Sequence, residues 1–212
     1  MKIIALITGV LLTSAVFSQN IIPDFSSSDM KFFNRDVLII DSSETGEKPY
    51  LKFNAKAGDG LAVFQDIDFE NGTIEFDVKG KDVLQQSFVG FAFHIQNDST
   101  FNAVYFRPFN FKKPERTSHS VQYISHPRFT WQKLRAEFPE QYEKTVTPVP
   151  NPEEFFHARI EVNWPVVKVF VENSEVPSLE VKMLSTFKTG KVGFWVGNGS
   201  DGSFKNLVVT KL

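Results

Sequence analysis

The chain of 212 residues contains no cysteine. It therefore has no disulfide, no thiolate nucleophile and no cysteine-ligated metal. Because small exported domains often rely on disulfides, this one would have to be held together by its hydrophobic core. The 23 phenylalanines provide suitable side chains, since each buried aromatic residue removes about 150–250 Å² of surface from water.

The sequence also lacks the common signatures of metal and nucleophile chemistry. No Gly-x-Ser-x-Gly segment indicates a serine nucleophile. The histidines do not show the short spacing of zinc ligands on one element; they are His94, His119, His126 and His157. We therefore expect no metal and no cofactor.

Calcium is the alternative to that expectation, because several acidic residues lie close together along the chain. They are Asp59, Asp66, Asp68 and Glu70. Carboxylate oxygens are the ligands that calcium prefers in proteins. However, residues 66–70 alternate acidic and apolar side chains as the edge of a strand does, which favours a structural role for them.

Clusters of one charge sign are missing as well. The chain carries 23 basic and 25 acidic residues, for a net charge of −2, and its basic residues are dispersed. Nucleic acid and anionic membrane surfaces are bound by concentrated positive charge. The partner is therefore expected to be uncharged or of mixed charge.

Long apolar runs are confined to the N-terminus. Lys2 precedes an apolar stretch over residues 3–17, and Val16 and Ser18 are small enough for the −3 and −1 positions of a signal-peptidase site. A membrane-spanning helix needs about 20 apolar residues, so this stretch is short for an anchor. The pattern favours cleavage before Gln19 over anchoring in a membrane.

The predicted signal peptide thus covers residues 1–18. The remaining residues, 19–212, suit a single domain, because domains commonly contain about 100–200 residues. A location in the periplasm or outside the cell follows, with no stable membrane anchor after cleavage.

Alternation with period two dominates the rest of the sequence. Residues 73–79 alternate polar and apolar side chains after an Asn71-Gly72 turn signal, as a half-buried strand does. Similar segments cover residues 89–95, 103–107, 120–124, 156–163, 166–172, 191–196 and 203–211. Many short strands separated by turn residues predict an all-β fold of two packed antiparallel sheets.

Two longer segments interrupt the strands. Residues 109–119 form a polar, proline-containing loop, and residues 130–142 repeat apolar side chains every three or four positions from Trp131 onward. The second pattern predicts one or two helical turns. Long loops that a sheet holds in place often carry binding or catalytic residues.

Five segments resemble a known superfamily: residues 72–79, 88–109, 121–123, 190–197 and 204–207. They are similar to bacterial members of the concanavalin A-like lectin/glucanase superfamily, near the laminin G-like domains and the domains named for 3-keto-disaccharide hydrolysis. The resemblance implies a two-sheet antiparallel jelly roll whose concave sheet carries carbohydrate. Such folds host lectins, adhesion modules and glycosidases, so fold alone does not decide activity.

The retaining glucanases of that superfamily carry Glu-x-Asp-x-Glu or Glu-x-Asp-x-x-Glu on one strand. One glutamate attacks the sugar and the other protonates the leaving oxygen. Here Glu75 and Asp77 match, but Lys79 and Gly80 occupy the positions of the second glutamate. A lysine cannot replace that acid, so Glu75 and Asp77 are weak catalytic candidates and fit the polar face of a strand.

A second group of residues favours ligand binding. If Val89, Phe91, Phe93 and Ile95 fill the core, then strict alternation places His94 on the opposite face. The small residues between these positions, Gly90 and Ala92, would leave room there for a ligand, and His94 is also a weak catalytic candidate.

The following strand adds Tyr105 and Arg107 beside His94 on the same face. A flat ring and a rigid fork of N–H donors are what sugar recognition uses. The neighbouring strand would add Gln122 or Tyr123. In the alternative interpretation, Arg107 pairs with Glu75 or Asp77, and Tyr105 packs under a loop.

Further candidates come from the second loop and from the last strands. Trp131 and Arg135, one helical turn apart, could cover the ligand. Trp195 alternates with core positions and is either a sugar-stacking surface or a buried side chain under a loop.

These observations leave three functions open. The first is an exported carbohydrate-binding or carbohydrate-associated domain with Tyr105 and Arg107 at its site. The second is a saccharide-cleaving enzyme, either a hydrolase with an unusual acid/base pair or a lyase. The third is a protein-interaction module of the cell envelope. The missing second glutamate favours binding over classical hydrolysis.

Overall fold

The structure, a computed structural model, describes residues 18–41 and 48–212. The predicted signal peptide therefore lies outside the described residues, except for Ser18. No helix in the described part of the chain is long and apolar enough to cross a bilayer.

Strands account for most of the regular structure in these residues. In chain order they are β1 (Gln19–Ile21), β2 (Met30–Phe33), β3 (Val37–Ile40), β4 (Tyr50–Phe53), β5 (Gly60–Phe69), β6 (Gly72–Lys79), β7 (Val89–Asn97), β8 (Thr100–Phe106), β9 (Val121–His126), β10 (Glu143–Lys144), β11 (Phe156–Asn163), β12 (Val166–Val171), β13 (Leu179–Lys182), β14 (Gly190–Val196) and β15 (Gly202–Lys211). One α-helix, α1 (Trp131–Glu137), lies between β9 and β10 in the described residues.

These strands form two antiparallel sheets. The eight-stranded sheet has the order β13-β12-β11-β6-β15-β4-β3, with β1 also paired to β15. The seven-stranded sheet has the order β10-β9-β8-β7-β14-β5-β2. About half of the neighbouring strands are not consecutive in sequence, including the central pairs β6-β15 and β7-β14, as in a jelly-roll sandwich. The predicted fold class is confirmed.

The core lies between the sheets and is rich in aromatic rings. Phe194 of the seven-stranded sheet stacks on Phe204 of the eight-stranded sheet with ring centroids 4.6 Å apart. Phe76 and Phe91 meet across the same gap at 5.2 Å. All four side chains are fully buried, so apolar burial supplies the stability that disulfides provide in many small domains.

The two predicted insertions lie next to each other over the seven-stranded sheet. The first contains short 3₁₀ turns at Pro108–Asn110 and Thr117–His119. The second contains α1, which begins after Thr130, whose hydroxyl accepts a hydrogen bond from the Lys133 N–H. This is the usual way in which a threonine caps a helix N-terminus.

Candidate functional site

A cavity of 660 Å³ lies on the outer face of the seven-stranded sheet. We call it the outer pocket. Its walls are the sheet, both insertions, the two segments that precede β5 and β7, and the segment that follows β14. It is lined by Asp59, Leu84, Gln85, Phe88, Tyr105, Arg107, Phe109, Asn110, Arg116, His119, Ile124, His126, Thr130, Trp131, Gln132, Arg135, Trp195, Gly197 and Asn198.

A single cross-strand row builds the floor of the outer pocket. Trp195 pairs with Gly90, Gly90 with Tyr105, Tyr105 with Gln122, and Gln122 with Glu143. Residues opposite one another in antiparallel strands point to the same face. The register alone therefore places these side chains together on the outer face.

Arg107, just beyond β8, is held in place by several fixed acceptors. Its Nη1 donates to the His119 carbonyl oxygen at 2.9 Å. Its Nη2 donates to the Tyr105 hydroxyl at 2.5 Å and to the Gln122 side-chain oxygen. The Tyr105 hydroxyl in turn donates to Gln122 at 2.9 Å, and burial raises the pKa of Tyr105 to about 12. The phenol therefore stays neutral and the guanidinium is preorganised.

Glu143 is the carboxylate at the centre of this cluster. It is almost fully buried and accepts two hydrogen bonds from Arg135, at 2.8 and 2.6 Å. Arg107 lies 3.4 Å and His119 3.0 Å from the same carboxylate. Burial acts to raise the pKa of Glu143, but the hydrogen bonds and positive charges of these neighbours outweigh it and lower the pKa. Glu143 is thus ionised and unsuited to donating a proton.

Aromatic rings form two walls of the outer pocket. The rings of Trp195 and Tyr105 lie 4.9 Å apart at an angle of 45°. Trp131 is 41% exposed, and the Arg135 guanidinium lies 5.1 Å from its ring. Phe88 contacts Tyr105 edge to face. A ligand in the cavity would therefore meet flat apolar surfaces as well as charged donors.

A titratable pair, Asp59 and His126, forms another wall. The His126 Nδ1 lies 3.6 Å from an Asp59 carboxylate oxygen. Burial raises the pKa of Asp59, although the His126 charge, the Trp195 indole and Arg35 act in the opposite direction. Burial also lowers the pKa of His126, against the pull of the Asp59 charge. Both groups are shifted towards their neutral forms, as is common at functional sites.

Asp59 and His126 line the outer pocket, a role that was not predicted from the sequence. His126 had been compared only with zinc-ligand spacing. Alternate residues of a strand share a face, so Gln122, Ile124 and His126 lie on the same face of β9. The alternation in the sequence could therefore have indicated His126.

Five of the predicted site residues come together in the structure. Tyr105, Arg107, Trp131 and Arg135 line the outer pocket, and Gln122 lies beneath Arg107. Their role in ligand binding stays a prediction.

Tyr123, the alternative to Gln122, is fully buried on the core side of the sheet. Its hydroxyl donates to the Asn102 side-chain oxygen at 2.7 Å. Gln122 is therefore the residue of this pair that faces the pocket side.

His94 does not join this group, contrary to the prediction from strict alternation. The pairing of β7 with β8 is irregular between Phe93 and Asn97, and His94 has a φ of 50°. This bulge turns the imidazole away from the outer face. Its Nε2 lies 2.7 Å from the Glu70 carbonyl oxygen, and the residue is fully buried.

The prediction that Gly90 leaves room for a ligand is also wrong, and neither Gly90 nor Ala92 lines the outer pocket. A side-chain carbon on Gly90 would lie 2.1 Å from the Val104 carbonyl oxygen and 2.5 Å from the Tyr105 Cα. The neighbouring strand fills the space. Gly90 instead lets the chains approach closely beside the Trp195 and Tyr105 rings.

Glu75 and Asp77 lie on the outer face of the other sheet. His157 Nδ1 lies 3.0 Å from Asp77, and its Nε2 lies 3.6 Å from Glu75. Asp77 also accepts a hydrogen bond from Asn206 at 2.6 Å. The suggested pairing of Arg107 with either carboxylate is wrong, because Glu143 is the partner of Arg107.

The acidic residues considered for calcium are spread over separate positions. Asp59 lies in the outer pocket, and Asp68 pairs with Lys191 at 2.7 Å. Among residues 18–41 and 48–212, no three His, Asp or Glu side chains are grouped as metal ligands.

A second, smaller cavity of 380 Å³ lies on the eight-stranded sheet. Its lining includes Tyr50, Lys79 and Phe155, but none of the residues singled out above for binding.

The sequence matches no protein-family model and no curated protein. Solved structures do match. They include the carbohydrate-binding module CBM66 from Bacillus subtilis, with 14% identity, a TM-score of 0.55, and 82% of this chain and 93% of that chain covered. The exoplasmic/lumenal domain of VIP36, in its Ca2+/Man3GlcNAc-bound form, matches with 10% identity and a TM-score of 0.57, covering 86% of this chain and 85% of that chain.

A β-glucanase from Bacillus licheniformis matches with 14% identity and a TM-score of 0.52, covering 91% of this chain and 92% of that chain. At such identities the likeness concerns the fold. The chain has the concanavalin A-like jelly-roll sandwich that its sequence resembles.

Proposed function

We propose that the chain is an exported carbohydrate-binding domain and that the outer pocket is its ligand site. The observation that carries this proposal is the combination of exposed aromatic surface with a preorganised arginine in one cavity. Sugar rings present apolar C–H faces and polar edges, so they need both kinds of contact. Trp131, which is 41% exposed, supplies the first kind of contact, and the partly exposed Arg135 supplies the second. Tyr105 and Arg107, which are almost fully buried, form the floor beneath them.

The structural neighbours support a saccharide ligand. They include a carbohydrate-binding module, a protein with bound Man3GlcNAc and a β-glucanase. Because one fold hosts many functions, this support is weaker than that of the pocket itself.

The carboxylates of the pocket favour binding over classical glycoside hydrolysis. A retaining glycosidase needs two carboxyl groups about 5–5.5 Å apart, one of which must be able to donate a proton. Asp59 is the single carboxylate among the described lining residues. Glu143, beneath them, is buried and ion-paired with Arg135, so it cannot serve as the acid.

The second candidate function is a saccharide-cleaving enzyme, and the Asp59–His126 pair is the observation that favours it. Two partly buried groups 3.6 Å apart can share or transfer a proton, as acid/base catalysts do. They are too close to flank a sugar bond from both sides. A lyase, which removes and returns protons on one side, fits the pair better than a hydrolase.

Export is part of the proposal, on the basis of the N-terminal sequence. Strand β1 begins at Gln19 and pairs with the end of β15. Cleavage before Gln19 would therefore leave every described strand intact. N-terminal sequencing of the exported protein tests this proposal, and the first residue is expected to be Gln19.

A glycan-array screen followed by calorimetry tests the proposed function. The informative variant is Trp131→Ala, and its matched control is Trp164→Ala, because these residues are 41% and 38% exposed and Trp164 lies outside the outer pocket. Trp131→Ala is expected to weaken binding of a glycan hit about tenfold, from the lost ring contact. Trp164→Ala should leave it unchanged.

The outcomes separate the three candidate functions. Equal loss in both tryptophan variants, or no glycan hit, would contradict carbohydrate binding in the outer pocket and favour a protein-interaction module. Mass spectrometry of the bound glycan after incubation decides between binding and cleavage. Cleavage that Asp59→Asn abolishes would establish the enzyme.

A further inference from the structure

The charges around the outer pocket are unevenly distributed. Arg107, Arg116 and Arg135 all line it. Arg107 and Arg135 share one carboxylate, Glu143, and Arg116 pairs with the largely exposed Glu115 at 2.8 Å. At this end of the outer pocket, three guanidinium groups therefore face two carboxylates, which leaves one excess positive charge.

The remaining charged groups nearby do not cancel this excess. On α1, Lys133 and Glu137 pair with each other at 3.8 Å. His119 lies on the same side and contacts Glu143, so its protonation would add positive charge.

Asp59 lies at the other end of the outer pocket from the arginines. Asp59 contacts His126, at the end of β9, whereas Glu143 pairs with Gln122 near its beginning. Four residues of strand correspond to about 13 Å. Burial raises the pKa of Asp59, and the charges of His126 and Arg35 act against it. Asp59 therefore has cationic neighbours of its own at that end of the outer pocket.

Arg135 has donor capacity to spare. It uses Nε and Nη2 for Glu143, and within the described part of the chain its Nη1 donates no hydrogen bond. The contact with Glu143 fixes the plane of the guanidinium, and the Trp131 ring lies 5.1 Å away on the solvent side of the sheet. A held, partly exposed guanidinium is suited to binding a planar anion.

We propose that the outer pocket prefers saccharides that carry a carboxylate, such as oligosaccharides of uronic acids, with the carboxylate bound at Arg135. This inference rests on the proposed carbohydrate-binding function. The ligand's charge would balance the excess of the Arg107–Glu143–Arg135 cluster. An acidic ligand is more specific than the uncharged or mixed partner expected from the sequence. That expectation followed from the net charge of the whole chain and not from the charge at the site.

Calorimetry with matched acidic and esterified ligands tests the preference on the unmodified protein. The panel contains short oligosaccharides of galacturonic, glucuronic, mannuronic and guluronic acid, the methyl ester of each, and neutral oligosaccharides of equal length. At least one acid is expected to bind about tenfold more tightly than its ester, because esterification removes a charge-assisted hydrogen bond. That difference should shrink in strong salt.

Each other result overturns the inference. If esters or neutral sugars bind as tightly as every acid, the carboxylate preference is wrong while carbohydrate binding stands. If no sugar in the panel or on a glycan array binds, the proposed function fails and the inference fails with it.

Variants then place the carboxylate. Arg135→Gln should abolish the difference between acid and ester, and Arg135→Lys should keep part of it because the charge remains. The matched control is Arg159→Gln on the other sheet, where Arg159 pairs with Glu161, and its discrimination should equal that of the unchanged protein. A difference that survives in Arg135→Gln, with folding confirmed by thermal unfolding, would rule out Arg135 as the binding residue.

Discussion

At the scale of single residues, Glu143 has the largest expected effect on stability. It is 3% exposed and contacts Arg107, Arg135 and His119. Removing one partner of a buried ion pair leaves the other charge uncompensated, which costs about 3–5 kcal/mol. This role could not be predicted from the sequence, because Glu143 follows an irregular segment and only the β9–β10 register brings it to Gln122.

We expect Glu143→Gln to lower the free energy of unfolding by about 3 kcal/mol, mainly because Arg107 loses its buried counter-charge. Urea denaturation measures the change. The control is Glu180→Gln, whose partner Lys168 lies 3.6 Å away at the exposed surface, and it should cost less than about 1 kcal/mol. Similar losses in both variants would contradict the central role of Glu143.

The pH dependence of this effect has a defined sign. The pKa of Glu143 is lowered in the folded protein from its usual 4.5, so its contribution to stability is complete above pH 4.5. It is lost as the pH falls through the folded-state pKa. The difference between the unchanged protein and Glu143→Gln should therefore shrink in acid, and a difference that grows in acid would contradict this assignment.

His157 should behave in the opposite way. A hydrogen bond to Asp77 raises its pKa above the usual 6.5, and the charges of Asp77 and Glu75 add to this against the effect of burial. Its contribution to stability is therefore complete below pH 6.5 and is lost as the pH rises through the folded-state pKa.

An NMR titration of the histidine side chains measures these values. The pKa of His157 is expected above 6.5, and that of His126, which burial lowers, below 6.5. Asp77→Asn should bring the pKa of His157 back towards 6.5. An unchanged His157 titration in that variant would show that Asp77 is not responsible for the shift.

At the scale of secondary structure, period-two alternation predicted the longer strands from β6 onward, but not the short strands β1 to β4, β10 and β13. Residues 156–163 coincide with β11, and residues 73–79 differ from β6 by one residue. Strict alternation failed at His94, where a bulge changes the face of the side chain. Bulges depend on how two strands twist around each other and leave no clear pattern in one sequence. Of β5, the longest strand in the early part of the chain, only the acidic end was predicted from the sequence. Its first half is buried on both faces and so shows no alternation of polar and apolar residues.

The row across β14, β7, β8 and β9 depends on Gly90. Gly90→Ala is expected to lower the free energy of unfolding by about 3 kcal/mol, because the new methyl group collides with the backbone of β8. Gly199→Ala is the comparison: no atom lies within 4 Å of the new methyl group there, but φ is +70°, so the cost should be about 1 kcal/mol. Chemical denaturation measures both changes. If both variants lost the same free energy of unfolding, the close approach of β8 to Gly90 would be contradicted.

At the scale of the whole molecule, a β-sandwich with an aromatic core has both insertions on the outer side of its seven-stranded sheet. The fold class and the contribution of Trp131 and Arg135 from the second insertion followed from the sequence. The Asp59–His126 wall did not, because it joins β5 to β9, which lie on opposite sides of β14, β7 and β8 in the seven-stranded sheet. Such contacts depend on the tertiary structure as a whole.

The three tryptophans provide the most direct test that this outer pocket is the ligand site. Trp131 and Trp195 line it, whereas Trp164 lies at the turn between β11 and β12 in the other sheet. The indole N–H signals of isotope-labelled protein are followed by NMR while a glycan hit is added. Saccharide binding in the outer pocket predicts shifts for Trp131 and Trp195 and none for Trp164. A shift of Trp164 alone, or no indole shift at saturating glycan, would contradict it.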